Sequence, residues 1–94
     1  MIHHLKSWPE LFAATKSGKK MFDLRRSHDR AFTVGDTVIL FEYDKDKGYT
    51  GQQMTVVIDY ITDTKNHCAL SPVALDSNHC ILGYNLPNKG PTFR

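Results

Sequence analysis

Cysteines and long apolar runs are both scarce in this sequence. Its two cysteines, Cys68 and Cys80, are too few for the disulfide framework of a small secreted domain. The longest apolar runs, residues 37–41 and 54–58, have the length of a β-strand and fall far short of a membrane span. Two histidines and Lys6 interrupt the apolar stretch that a signal peptide requires near its start. These features predict a cytoplasmic protein with reduced thiols and no membrane contact.

The length of 94 residues predicts one domain, because a second hydrophobic core would have no room. A hydrophobic content of 40% with 23% charged residues is typical of a globular protein and argues against disorder. We therefore predict a single domain over residues 1–94, with its core at residues 2–86 and a polar tail at 87–94. We expect this domain to be a monomer.

The charged residues are distributed unevenly along the chain. The segment from Lys16 to Arg30 holds six of the twelve Lys and Arg residues and two acidic residues, for a net charge of +4. The remaining residues include six basic and eight acidic side chains, for a net charge of −2. A basic stripe on a slightly acidic body suggests an anionic partner such as nucleic acid, a nucleotide or phosphate. A solvated surface that binds nothing has the same composition.

The residues that follow Ser7 predict a helix of about ten residues. Ser7 and Glu10 have the spacing of a capping box, and Pro9 suits the first helical turn. Gly18 is a natural stop. The residues expected on the buried face recur at helical spacing, namely Trp8, Leu11, Phe12 and Thr15.

The rest of the chain is typical of a β-protein. Alternating or β-branched segments predict strands at residues 2–6, 20–25, 37–43, 53–62 and 79–86. The charged stretch from Asp44 to Gly48 predicts a hairpin tip, whereas residues 63–78 show no clear period and predict a loop. The fold class is therefore mostly β (α+β), a small closed or half-closed barrel with one N-terminal helix.

Several short motifs occur in an order that is more specific than any one of them. They are His4-Leu5-Lys6, Trp8-Pro9, Phe12, the segment Gly18–Arg25, Asp29-Arg30, Phe32-x-Val34-Gly35-Asp36, Leu40-x-Glu42-Tyr43 and Tyr49-Thr50-Gly51. In this order the chain resembles the ASCH domain family of the PUA-like superfamily, and in particular a short bacterial and phage branch of unassigned function. The resemblance spans about residues 2–86.

This resemblance implies a PUA-like β-barrel with a cleft that binds RNA, single-stranded nucleic acid or a nucleotide. The family motif that lines the cleft is Gly-x-Lys-x-x-Glu-x-Arg, and Asp23 stands here where the family has glutamate. Arg25 offers a planar fork for phosphate or a base edge, and Lys20 is a point charge for phosphate. Strand alternation places Asp23 and Arg25 on one face, so Lys20 joins them only if the chain bends after Gly18. An ordinary ion pair between Asp23 and Arg25 is the structural alternative.

Three more residues complete the predicted binding site, namely Arg26, Arg30 and Tyr49. Tyr49 could stack on a base, although packing beside the hairpin is the simpler role for this ring. His28 lies between the two arginines and could contact phosphate. Thr50-Gly51 could supply backbone amides near the cleft, or form a plain hairpin turn.

Two other functions remain open at this point. Some ASCH-type proteins resemble amidohydrolases of acetylated cytidine that use a lysine, a threonine and a glutamate. Lys20 matches the lysine, but Asp23 occupies the threonine position, and the chain's only glutamates are Glu10 and Glu42. We therefore predict no catalytic residues. The second possibility is an interaction module that binds a host protein.

Metal binding is the remaining chemical possibility. The pairs His67-Cys68 and His79-Cys80 contain ligands that zinc accepts. Neighbouring residues of an extended segment point to opposite sides, however, so both members of a pair rarely reach one ion. We predict neither a metal nor another cofactor.

Overall fold

The computed structural model describes residues 1–27, 30–65 and 76–87. These residues form β1 (Ile2–Ser7), α1 (Pro9–Lys16), β2 (Phe22–Arg26), β3 (Thr37–Asp44), β4 (Gly48–Thr62) and β5 (His79–Asn85). The predicted mostly-β fold with one N-terminal helix is confirmed. Strand β4 begins at Gly48, five residues before the predicted start. Most of the predicted 63–78 loop, and the predicted tail beyond residue 87, lie outside the described residues.

Helix α1 begins differently from the prediction. Its N-cap residue is Trp8, and no side chain caps the helix, so the predicted capping box is wrong. The reason is that Ser7 still belongs to β1, where it pairs with Glu42 and its side chain is buried. Phe12 and Thr15 form the buried face of the helix, whereas Trp8 remains 53% exposed.

The five strands form one sheet in the order β1-β3-β4-β5-β2. β1 is parallel to β3, which requires a crossover, and the chain supplies one through α1 and β2. All the other neighbouring pairs are antiparallel. The sheet curls into a half-barrel, so the half-closed form of the prediction is the observed one. The edge strands are β1 and β2, and no ladder joins them within the described residues.

The core lies on the concave face of the sheet, beneath α1. A bulge between Ile58 and Tyr60 shifts the register of β4 against β5. The extra residue reverses the alternation, so Ile61 packs against the core and Tyr60 is 57% exposed. The buried core residues are Leu5, Phe12, Val38, Leu40, Val56, Ile58, Cys80, Leu82 and Tyr84.

A buried polar contact fixes the start of β3 beside β1. His3 Nε2 lies 2.7 Å from Asp36 Oδ2, and the Thr33 amide donates to the same oxygen at 3.0 Å. The contact with His3, followed by that with Thr33, holds the pKa of Asp36 below its usual value. Asp36 immediately precedes the strand, so this contact helps to set the parallel register between β1 and β3.

Candidate nucleic-acid interface

Two arginine side chains reach the free edge of β1, and one of them, Arg25, bridges the gap between the edge strands of the half-barrel. Arg25 Nη2, on β2, donates to the backbone oxygen of Lys6 on β1 at 2.9 Å. Arg30 Nη1 donates to the backbone oxygen of His4 at 3.3 Å. These two carbonyl groups face the free edge of β1, which has no partner strand there among the described residues. Of the three arginines that the sequence assigned to ligand binding, Arg25 therefore also joins the two barrel edges, and Arg30 ties the segment after β2 to β1.

Strand β2 places Asp23 and Arg25 on its inner face and the apolar residues Phe22 and Leu24 on its outer face. Phe22 and Leu24 are 51% and 57% exposed, whereas Asp23 is buried and Arg25 is partly buried. Asp23 accepts hydrogen bonds from Lys20 Nζ at 3.2 Å, from Arg25 Nη2 at 3.1 Å and from the Tyr84 hydroxyl at 3.1 Å. Three donors around one carboxylate explain how a charged residue is accommodated on the core face.

Lys20 joins this group because it precedes the strand. The alternation rule that would point it away from Asp23 applies only from Phe22, where β2 begins. Its Nζ donates both to the Phe22 backbone oxygen at 2.8 Å and to Asp23. The sequence predicts that Lys20 can join Asp23 only if the chain bends after Gly18. The chain does bend there, and Gly18 has a φ of 84°, in the left-handed region that favours glycine. We call Lys20, Asp23, Arg25 and Tyr84 the Asp23 network.

Tyr84 makes the Asp23 network sensitive to alkaline pH. Burial, and then the neighbouring Asp23 carboxylate, raise the pKa of Tyr84 above its ordinary value of 10.0. Because the folded protein holds this proton more tightly than the unfolded chain does, the resulting stability is complete below pH 10 and decreases as the pH rises further.

The variant Tyr84→Phe tests this coupling. Loss of the hydroxyl bond to a carboxylate should lower the free energy of unfolding by about 1.5 kcal/mol at neutral pH. Above pH 10 this difference from the wild type should shrink by up to about 1.4 kcal/mol per pH unit. Urea unfolding at a series of pH values measures it. A difference that stays constant up to pH 11 would show that Tyr84 ionises normally.

We call the gap between β1 and β2, which Arg25 spans, the bridged seam. A cleft of about 640 Å³ opens beside it. This volume lies within the usual range of small-ligand sites, about 300–1,000 Å³. Strands β1 to β4 all contribute to it. The lining residues are His4, Leu5, Lys6, Arg25, Arg30, Phe41, Glu42, Tyr49, Gly51, Gln52 and Gln53.

The cleft combines cations with aromatic rings. Lys6, Arg25 and Arg30 face a single carboxylate, that of Glu42, among its lining residues. Lys6 Nζ lies 4.4 Å from the centre of the Tyr43 ring, which in turn packs edge-on against Tyr49 with ring centres 4.9 Å apart. The residue Tyr49 is 60% exposed. A positive surface with a supported, accessible ring suits an anionic ligand that carries an aromatic group.

A bulge in β4 builds one wall of the cleft. The β3–β4 register shifts between Phe41 and Tyr43, and the extra residues on β4 are those between Tyr49 and Gln53. Gly51 permits this excursion because its φ is 93°. The hairpin turn lies elsewhere, at residues 44–48, where Asp44 accepts from two backbone amides. The hairpin-turn interpretation of Thr50-Gly51 is therefore wrong.

Sequence comparison identifies a family for this arrangement. A family described as "Domain of unknown function (DUF3850)" matches residues 2–84. This range includes the helix and all five strands, apart from Asn85 at the end of β5. The chain belongs to the DUF3850 family. No curated protein matches the sequence. Because the family description carries no function, the resemblance to ASCH domains stays a prediction.

The DUF3850 fold brings together some of the predicted site residues and separates others. Arg25, Arg30 and Tyr49 line the cleft. Lys20 and Asp23 lie behind Arg25 and contact it through the Asp23 network. Arg26 is exposed on the opposite face of β2, beside Leu24, so it does not belong to the cleft. His28 lies outside the described residues.

Sequence reasoning missed several cleft residues of this DUF3850 domain. They are His4, Lys6, Phe41, Glu42, Gln52 and Gln53. The alternation along β1 could have separated His4 and Lys6 from the buried Leu5. No local pattern could have shown that Gln52 and Gln53 reach the same cleft, because their position depends on the β4 bulge.

Neither a metal centre nor a membrane-crossing helix occurs in the described part of the DUF3850 chain. No three or more His, Cys, Asp or Glu side chains there are grouped to hold a metal. His67 and Cys68 lie outside the described residues, and Cys80 is a buried free thiol whose pKa is raised by that burial. Helix α1, with 8 residues, is too short to cross a bilayer.

Proposed function

We propose that this DUF3850 domain binds single-stranded RNA or a nucleotide in the cleft beside its bridged seam. The observation that carries the proposal is the lining of that cleft, which Lys6, Arg25 and Arg30 share with the exposed residue Tyr49. The cations would contact phosphate oxygens, and the ring would stack on a base. The resemblance to ASCH domains supports the same proposal, and it also implies a bacterial or phage origin.

Arg25 is suited to contact a phosphate, although one of its nitrogens already makes two hydrogen bonds within the protein. Its Nη2 donates to Lys6 and Asp23, and no hydrogen bond among the described residues uses its Nη1. Its Nε is buried and has no partner there either. The two fixed contacts orient the guanidinium, so a phosphate that reaches Nη1 would meet a preorganised donor.

The size of the cleft favours a short single-stranded segment over a duplex. A volume of about 640 Å³ matches a ligand of small-molecule size, such as one or two nucleotides. Single-stranded bases can also turn outward and stack on an aromatic side chain, which paired bases cannot do. We place this binding in the cytoplasm and assign it to a monomer, as the sequence predicts.

The catalytic alternative gains nothing from the geometry. Hydrolysis of an acetylated nucleoside would require Lys20 to face the ligand, but its Nζ is engaged by Phe22 and Asp23. Neither Lys20 nor Asp23 lines the cleft.

The pair Lys6→Ala and Lys45→Ala tests the proposal. Lys6 lies in the cleft, whereas Lys45 lies at the exposed hairpin tip, outside the cleft lining. If Lys6 contacts a phosphate, its removal should weaken binding of a labelled single-stranded RNA and reduce the slope of log K against log salt by about 0.7. Lys45→Ala should leave the slope unchanged. Fluorescence anisotropy at several salt concentrations measures both.

Two results would contradict the proposal. One is the absence of measurable affinity for RNA, single-stranded DNA and nucleotides at low salt. The other is an equal change of slope in the two variants, since this would reflect net charge rather than a contact made in the cleft.

A further inference from the structure

Glu42 is an unexpected residue in a cleft that attracts anions. It is the one carboxylate among the cleft-lining residues and is half-buried beside three cations. It lies within the register shift between Phe41 and Tyr43, where the bulge redirects side chains. A carboxylate at this position weakens the attraction of the cleft for phosphate, so its presence calls for a chemical reason.

Neutralisation of the cations does not supply that reason. None of the ion pairs among residues 1–27, 30–65 and 76–87 includes Glu42. Its contact is instead with Thr50, whose hydroxyl donates to Oε1 at 2.6 Å across the β4 bulge. No hydrogen bond within those residues uses Oε2. Thr50 therefore fixes the orientation of the carboxylate and leaves one oxygen to accept from a ligand.

We propose that Glu42 selects ligands whose base carries an exocyclic amino group, as cytosine, adenine and guanine do, over uracil. This inference rests on the proposed function. A carboxylate accepts well from an amino group at the edge of a base. Uracil offers only its ring N3–H, flanked by two carbonyl oxygens that repel the carboxylate. Tyr49 would hold the base in the cleft, and Glu42 would read its edge.

Cytidine and uridine oligonucleotides form a matched pair for the test, because the two pyrimidines differ at the edge that Glu42 would read. The wild type should bind a single-stranded cytidine oligonucleotide about tenfold more tightly than a uridine oligonucleotide of equal length. In Glu42→Gln this ratio should fall to near one, because the amide can donate to the uracil carbonyl as well as accept from the amino group.

Asp46→Asn is the control for charge. It removes one negative charge from the same hairpin, as Glu42→Gln does, but Asp46 lies at the exposed tip outside the cleft. Both variants should bind polyanions somewhat more tightly, and only Glu42→Gln should change the cytidine-to-uridine ratio. Thermal unfolding of each variant verifies that the fold is retained.

The possible outcomes separate the inference from the proposed function. If neither oligonucleotide binds the wild type, the proposed function fails and the inference fails with it. If both bind with equal affinity, or if Glu42→Gln keeps the wild-type ratio, selection by Glu42 is wrong while binding in the cleft stands.

Discussion

Asp23→Ala should lower the free energy of unfolding by about 3 kcal/mol, the largest loss that we expect from one substitution in this chain. The variant removes the shared acceptor of Lys20, Arg25 and Tyr84. The two cations keep their bonds to backbone oxygens, so the loss should lie at the lower end of the range for a broken buried pair. The Tyr84 hydroxyl, at a residue only 5% exposed, would lose its acceptor within the core.

Urea unfolding of Asp23→Ala beside Arg26→Ala measures this effect. Arg26 lies on the same strand but points to the exposed face, so its removal should change stability by no more than about 0.5 kcal/mol. Tyr84→Phe should be less damaging when Asp23 is already alanine than in the wild type, because the two residues share one hydrogen bond. Equal stabilities of Asp23→Ala and Arg26→Ala would refute a structural role for the Asp23 network.

Much of the fold could be predicted because its signals are local. The β-branched stretch that became β3 and the charged tip before Gly48 depend on neighbouring residues alone. The capping-box prediction failed at Ser7. The spacing of Ser7 and Glu10 fits a capping box, but pairing with Glu42, far along the chain, keeps Ser7 in β1. Long-range pairing overrode a local preference, and no short window of sequence contains that information.

The candidate site was only partly predictable for a related reason. Charge clustering pointed to Arg25 and Arg30, and both reached the cleft. The same clustering included Arg26, because a charge count ignores the faces of a strand. Lys6 and Glu42 lie outside the basic segment, and only the parallel pairing of β1 with β3 and the bulge opposite Glu42 bring them into the cleft.

Tyr49→Ala should weaken binding of single-stranded RNA by at least about fivefold, since base stacking on an aromatic ring contributes about 1–3 kcal/mol per base. Tyr49 lines the cleft and is 60% exposed, and the Tyr43 ring packs edge-on against its ring. Tyr49→Phe should retain most of the affinity, because the stacking surface persists without the hydroxyl. Fluorescence anisotropy at one fixed salt concentration compares the variants.

Tyr60→Ala provides a closely matched control for this measurement. Tyr60 lies on the same strand and is 57% exposed, nearly as much as Tyr49, but it is not among the residues that line the cleft. Its removal should leave RNA affinity within about twofold of the wild type, as expected for a ring that makes no contact with the ligand. Equal losses in Tyr49→Ala and Tyr60→Ala would place RNA binding elsewhere on the domain. A selective loss in Tyr49→Ala, retained by Tyr49→Phe, would instead place a base against this ring, within reach of the cations that line the cleft.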